Sequence, residues 1–296
     1  MKDTFSNMHP FINFIFFALT IGFTMFIMNP VCLAISFLCA LITTLYLNGK
    51  KAVRLSLVYL LPMILLIVLI NPVFNHEGMT ILTYFPWDNP LTIESIVYGI
   101  ASAFLLSSTV LWFSSFNAVI TSDKVVFLFG RIMPSLSLVI SMALRFVPRF
   151  SAQMKLVRNA QHTLGRDVNE GTLFQRMRNA VKILSIMITW SLENAIETAD
   201  SMKSRGHGLK GRTSYSLYKF DKRDAVMLCA ILFSGTVLMI LLLTNAIKFR
   251  YYPSIKGDLF TVQSIIFYIL YTFLMLIPLS VNVGEGIKWK HIQSKI

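Results

Sequence analysis

The chain has 296 residues, of which 55% are apolar and 14% charged, with 24 Phe and 15 Met; ordinary soluble domains carry about 25% charged residues. Its mean hydropathy is +0.65, which leaves too little polar surface to cover a water-soluble core; this excludes a soluble enzyme, a disordered chain and a small disulfide scaffold and leaves an integral membrane protein with several spans. Lys and Arg outnumber Asp and Glu by 27 to 14, a net charge of +13, which in a membrane chain reads as the basic cytoplasmic bias that sets topology rather than as a nucleic-acid surface.

Lys2 is followed by an acidic residue, and no small-x-small cleavage site closes the first apolar run. That run, Pro10 to Met28, therefore reads as a permanent first span. Asn29 and Pro30 mark a tight turn, and a second span runs from Val31 to Leu47. Lys50, Lys51 and Arg54 follow in a short polar loop, then a third apolar run covers Leu55 to Ile70. Pro62 within it is tolerable in lipid. The loop over residues 71–92 has no Lys or Arg but carries Glu77 and Asp88, with Tyr84 and Trp87 suited to a membrane–water interface. Charge bias puts this loop outside and the Lys50–Arg54 loop inside. A fourth span, Ile93 to Phe116, returns the chain; Glu94 at its start is read as reaching the interface.

The texture then changes. Residues 145–223 hold 15 Lys or Arg against 6 Asp or Glu. They read as a large cytoplasmic helical insertion, broken by a turn over LGRDVNEG and closed by the Gly-rich basic stretch SRGHGLKGRTSY. Pro134 to Pro148 is short for a full span; it reads as a tilted or buried helix between bilayer and cytosol. Two more spans, Ala225 to Ile247 and Val262 to Val283, lead to a basic tail. The expected fold is an all-α integral membrane protein with about six transmembrane helices and both termini cytoplasmic. Three regions follow: 1–116 with four spans, 117–223 as the cytoplasmic and interfacial region, and 224–296 with two spans and the tail. One loop breaks the charge rule: Lys248, Arg250 and Lys256 fall outside.

Cys32, Cys39 and Cys229 lie in apolar stretches, and the first two stand about 10 Å apart along one helix. That is too far to bridge; all three read as packing residues.

Residues 172–205 read as one helix. Leu173, Met177, Val181, Leu184, Ile188, Leu192, Ala195, Ala199 and Met202 step by three or four, with polar residues opposite. The middle, ILSIMITWSL, is apolar nearly all round, so its centre is expected to be buried on most sides. Periodicity leaves two readings open: a docking lever, or a packing helix in a larger bundle. At the end, Ser204-Arg205-Gly206 sets an arginine in the last turn with glycine just beyond. Arg205 either complements the helix dipole or is seated in a partner's groove through fork-shaped hydrogen bonds.

ALRFVP at 143–148, AQ followed by glycine at 160–165, SMKSRGHG at 201–208 and RTSY at 212–215, in that order, resemble the transmembrane T component of energy-coupling-factor transporters. Glu197 and Ala199 also fit that pattern. The resemblance implies a non-catalytic membrane scaffold without a cofactor. It implies two partner ABC-type ATPase subunits that hydrolyse ATP, and a small membrane substrate-binding S component. The setting implied is the plasma membrane of a prokaryote, with a vitamin, vitamin precursor or metal ion as cargo. Two long coupling helices would each end in an arginine-centred motif that docks on one ATPase. The second motif is Ser204-Arg205-Gly206. At the first, Leu164 stands where the arginine belongs, followed by Gly165, with Arg166 two places on as a possible substitute. Arg145, Pro148, Glu197 and Arg212 are the implied supports of these helices.

Other signals are weaker. GHGLKG at 206–211 follows a helix instead of a strand, so it reads as a helix cap and elbow rather than a dinucleotide loop. No P-loop motif occurs, and the five histidines lack metal-ligand spacing. The alternative class, a self-sufficient secondary transporter or channel, needs polar groups inside several spans. The spans here are nearly free of charge.

Overall fold

Three of the apolar runs open on a residue whose side chain caps the helix: His9, Asn29 and Thr92. In the computed structural model, which describes residues 4–84, 89–166, 171–209, 218–257 and 259–294, helix α1 covers Pro10–Phe26 and the side chain of His9 accepts from the Phe11 N–H. Helix α2 covers Pro30–Asn48; Asn29 Oδ1 accepts from the Val31 N–H at 3.0 Å, and proline follows at the first helical position. Gly49, at φ +52°, makes the turn into α3, Lys50–Phe74. A π-helical stretch over Leu55–Leu60 precedes Pro62. Pro62 has no N–H to offer the preceding turn, and the wider turn absorbs that missing bond. Helix α4, Ile93–Val119, is capped by Thr92, whose Oγ1 accepts from the Ser95 N–H. Then follow α5 (Ser122–Ile132), α6 (Pro134–Thr163), α7 (Leu173–Ser204), α8 (Lys222–Leu243) and α9 (Val262–Gln293). Two short hairpins complete the described structure: β1 (Ile81–Tyr84) with β2 (Pro90–Thr92), and β3 (Phe249–Arg250) with β4 (Lys256–Gly257).

By length and composition α2, α3, α4, α6, α8 and α9 can cross a bilayer; α1 is apolar but has 17 residues. All six runs read from the sequence form helices. The difference is α6. Pro134–Pro148 does not stop at Pro148 but continues to Thr163 as one helix of 30 residues. Its first half is apolar and its second half basic.

The chain forms two compact units, one of residues 1–125 with 218–296 and one of residues 126–217. In the first, hydroxyls bridge the helices. Trp112, fully buried on α4, donates from Nε1 to Ser36 Oγ on α2 at 3.1 Å, and Ser36 is bonded in turn to Thr24 of α1 at 2.9 Å. Thr44 of α2 meets Ser115 of α4 at 2.9 Å. Phe16 and Phe17 set their rings edge-on to the Trp112 indole at 6.1 and 6.4 Å. Apolar surface gains little by leaving lipid for another apolar face, so small residues and interhelical hydrogen bonds do the joining.

Contacts between distant residues sort this unit into two ends. At one, the Phe5 N–H donates to Asn282 Oδ1 at 2.9 Å, Asn48 bonds Ser114, and Arg223 is paired with Glu285. Lys124, buried, donates to the carbonyls of Ser6 and Val119. At the other, Tyr251 donates to the Met28 carbonyl at 2.8 Å, Asn75 to Tyr252, and the Met79 N–H to the Pro253 carbonyl. Burial, with Tyr98 and Glu77 adding to it, pushes the Tyr252 phenol up to about 12. The first described residues and the C-terminal half of α9 therefore share one end, and the loops after α1, α3 and α8 share the opposite one. Glu94 stands in the first turn of α4, beside the loop that precedes it. It is 2% exposed and accepts from the Thr80 N–H, and a Cβ on Gly78 would fall 2.7 Å from its Oε2. Glycine at 78 is what lets this loop close over the carboxylate. Trp87 and Asp88 lie outside the described residues.

In the second unit α6 and α7 clasp through aromatic rings. Phe146 stacks on Trp190 at 5.6 Å with 29° between the rings, and Phe150 lies 6.4 Å from the same indole. Ile183, Met187 and Asn194 are the buried residues of α7. Leu184, Ile188, Leu192 and Ile196 are exposed, so the greasy centre is covered on one stripe and open elsewhere. That departs from the expectation of burial on most sides: the single partner helix covers only the stripe it touches.

Two substitutions separate the units. Trp112→Ala removes a fully buried indole and its hydrogen bond, and is expected to cost about 3–5 kcal/mol, read as a fall in the unfolding midpoint of the detergent-solubilised protein. Trp190→Ala loosens α6 from α7 instead. Limited proteolysis should then cut α6 and α7 faster, with the digestion of residues 4–125 unchanged.

Candidate functional site

Helices α6 and α7 end in the same backbone device. At the end of α6 the C-cap residue Leu164 has φ −89°, Gly165 has φ +66°, and the Arg166 N–H reaches back to the Gln161 carbonyl at 2.9 Å. At the end of α7 the C-cap residue Arg205 has φ −86°, Gly206 has φ +75°, and the His207 N–H reaches back to the Met202 carbonyl at 3.0 Å. Both are Schellman caps, in which a left-handed residue lets the chain fold back on the last free carbonyls. Glycine takes that conformation without a side-chain clash; after α8 the same place is held by Asn245, at φ +58°. The two tips therefore superpose in role: Leu164 corresponds to Arg205, Gly165 to Gly206 and Arg166 to His207.

The side chains at these tips are available. Ser204, Arg205, Gly165 and Arg166 are exposed and Gly206 is half-buried. Leu164 is 64% exposed. Ser204 Oγ turns back to the Ser201 carbonyl at 2.9 Å, which leaves Lys203 and Arg205 as the outward charged groups of that turn. A helix C-terminus carries partial negative charge, so a cation there is favoured even without a partner. The guanidinium adds five donors in a fixed fork, suited to carboxylates or to backbone carbonyls on another protein.

The arms behind the tips are long. Leu164 lies 18 residues beyond Phe146, and Arg205 lies 15 beyond Trp190. At 1.5 Å per residue these are lever arms of about 27 and 22 Å. The aromatic clasp is the part that sequence reasoning missed. Its signal was present in RFVPRF, where Phe146 and Phe150 stand one turn apart, and in the single Trp of the apolar run, but nothing local pairs them.

The implied supports are placed less informatively. Arg145, Pro148 and Glu197 are all exposed on α6 and α7. Among the described residues neither Arg145 nor Glu197 forms an ion pair. Pro148 sits inside α6 without ending it. Arg212 and the RTSY stretch lie outside the described residues, as do Lys210 and Gly211 of the glycine-rich run. Gly206 and Gly208, at φ +75° and +97°, follow a helix, as read.

Residues 2–215 match the sequence profile of the CbiQ family, described as cobalt transport protein. The energy-coupling factor transporter transmembrane protein EcfT of Lactobacillus helveticus is 38% identical over 106 residues, which is 36% of this chain and 38% of that protein. The protein of the same name from Lactococcus lactis subsp. cremoris is 35% identical over 107 residues, 36% of this chain and 40% of its own length. A longer alignment, 27% identical over 194 residues, covers 60% of this chain and 71% of EcfT 1 of Listeria monocytogenes. The chain thus spans about two fifths of the length of the first two relatives. The profile match takes in well over half of the sequence, and with six helices fit to cross a bilayer the chain belongs to this family, the multi-pass transmembrane T components of energy-coupling-factor transporters.

Proposed function

We propose that this protein couples two cytoplasmic ABC-type ATPases to a small membrane S component, and that it carries no catalysis of its own. The observation behind this reading is the pair of matching glycine caps on two long, exposed helices that clasp at Phe146 and Trp190. Each tip is seated on one ATPase. ATP-driven closure of the ATPase pair moves the tips, and α6 and α7 carry the displacement as stiff arms. The clasp keeps the arms from sliding independently. The S component answers by reorienting and releasing its cargo, a vitamin, vitamin precursor or metal ion. Arg205 binds and transmits force at the second tip. Leu164 gives the first tip an apolar seat, with Arg166 as its nearest cation.

The setting is the plasma membrane of a prokaryote, with both termini in the cytoplasm. Support comes from the end of the first unit that gathers residues 5–6, 114–124 and 282–285, to which the basic run Lys50, Lys51 and Arg54 belongs by its place after α2. The positive-inside bias assigns that end to the cytoplasm.

Two tests follow. Arg205→Glu is expected to abolish uptake and ATPase co-purification while the chain still inserts in the membrane; truncating a desolvated interfacial arginine costs about 2–5 kcal/mol, and charge reversal costs at least as much. Arg166→Glu should weaken co-purification less, and Leu164→Arg, which sets a charge in the apolar seat, should weaken it as well. Normal uptake by the Arg205→Glu protein would overturn the reading. For orientation, single cysteines are placed at Met79→Cys or Ser294→Cys after the three native cysteines are replaced. A membrane-impermeant maleimide should label the first in intact cells and the second only after permeabilisation.

A further inference from the structure

The basic loop between α8 and α9 breaks the charge rule, and the structure sets it at the mouth of a groove. The register of its hairpin places Arg250 directly opposite Lys256 and Phe249 opposite Gly257. Like charges facing each other across two strands repel. Among the described residues neither of them, nor Lys248, is paired with a carboxylate; Asp258, next in the chain, lies outside the described residues. The three cations join Asn29 and Asn245 around a hollow of about 690 Å³ that no carboxylate lines among the described residues. A cluster of this kind calls for an anion.

A second hollow meets the first. A groove of about 530 Å³ runs between α1 and α8 past Ala18, Gly22, Gly235 and Met239, and Phe26 and Leu242 belong to both hollows. Its walls are apolar apart from Thr236. Glycines open it: a Cβ on Gly22 would meet nothing within 4 Å, and one on Gly235 would come within 3.0 Å of Leu19. From Ala18 to Phe26 the groove follows about 12 Å of helix. One leaflet's share of a bilayer's hydrocarbon is about 15 Å. An apolar channel of nearly one leaflet's depth, ending at the membrane surface in cations that no described carboxylate pairs, has the two-part chemistry of an anionic phospholipid.

We propose that this site holds one anionic phospholipid of the leaflet at the hairpin end. An acyl chain lies between α1 and α8, and the phosphodiester is bound by Lys248, Arg250 and Lys256. The bound lipid neutralises the facing cations and fills the gap left by the glycines. This accounts for basic residues on the side where charge bias does not place them, and it stands independently of ATPase docking.

The test is native mass spectrometry of the full chain purified in mild detergent. It is exposed to an equimolar mixture of phosphatidylglycerol and phosphatidylcholine with the same acyl chains. The wild type is expected to retain phosphatidylglycerol over phosphatidylcholine by about tenfold or more, in keeping with three basic side chains at an anionic headgroup. The triple variant Lys248→Gln, Arg250→Gln, Lys256→Gln should lose that preference while keeping its helical circular dichroism. Should the triple variant fail to fold, Gly22→Leu, which fills the groove without touching the cations, decides the matter through a severalfold loss of bound phosphatidylglycerol. Excess glycerol 1-phosphate should not displace the lipid. Equal retention of the two lipids by the wild type would overturn the proposal. So would full retention by Gly22→Leu, displacement by glycerol 1-phosphate (a free-phosphate site), or loss of the lipid once co-purifying subunits cover the groove (a protein interface).

Discussion

A bilayer offers apolar helices no reason to prefer one another, and that constraint shapes the first unit. What holds α1, α2 and α4 together is a line of hydroxyls and one indole: Thr24, Ser36 and Trp112, with Thr44 and Ser115 further along the same helices. Each is small or amphipathic, so backbones approach closely and the polar atoms find partners. α3 buries little and turns its leucines outward. Such a surface is wrong for water and unremarkable in lipid.

The second unit works by the opposite logic. α6 and α7 carry charge along much of their length and share one compact contact, the Phe146–Trp190 stack with Phe150 beside it. Little else of α7 is covered. A pair of helices pinned at one place and open elsewhere has surface to give to other proteins. The first unit is a filled bundle and the second is a pair of arms. On the proposed function this division has a use, because the arms are the part that partner proteins hold.

Much of this was legible in the residues, and the physics explains which parts. Spans announce themselves because lipid demands about twenty apolar residues in a row. Helix ends are local too: His9-Pro10, Asn29-Pro30 and Arg205-Gly206 each act within a turn of their own position. The tip at Gly206 was readable for that reason, and so was its counterpart at Gly165 once the arginine was not required. The passage of α6 through Pro148 was not readable. Proline usually marks a boundary, and only the structure shows that the helix absorbs it. Nor was the Phe146–Trp190 clasp, or the closure of residues 78–80 over Glu94, or the meeting of Tyr251 with Met28. These join residues far apart in sequence, and a pattern of spacing carries no information about them.

The inequality of the two tips is the step that the backbone makes sharp. The C-cap position of α6 is not held by Arg166. Leu164 holds that position with the same dihedral angles as Arg205, within a few degrees, and Arg166 stands where His207 stands on the other arm. An arginine two places on, after a left-handed glycine, starts from a different backbone position than Arg205. If the arms dock as proposed, the two sockets differ in kind: one accepts a guanidinium fork, the other an isobutyl group with a cation at its rim. Two identical ATPases would present identical sockets. On that proposal, the pair that fits this chain is two different ATPase polypeptides.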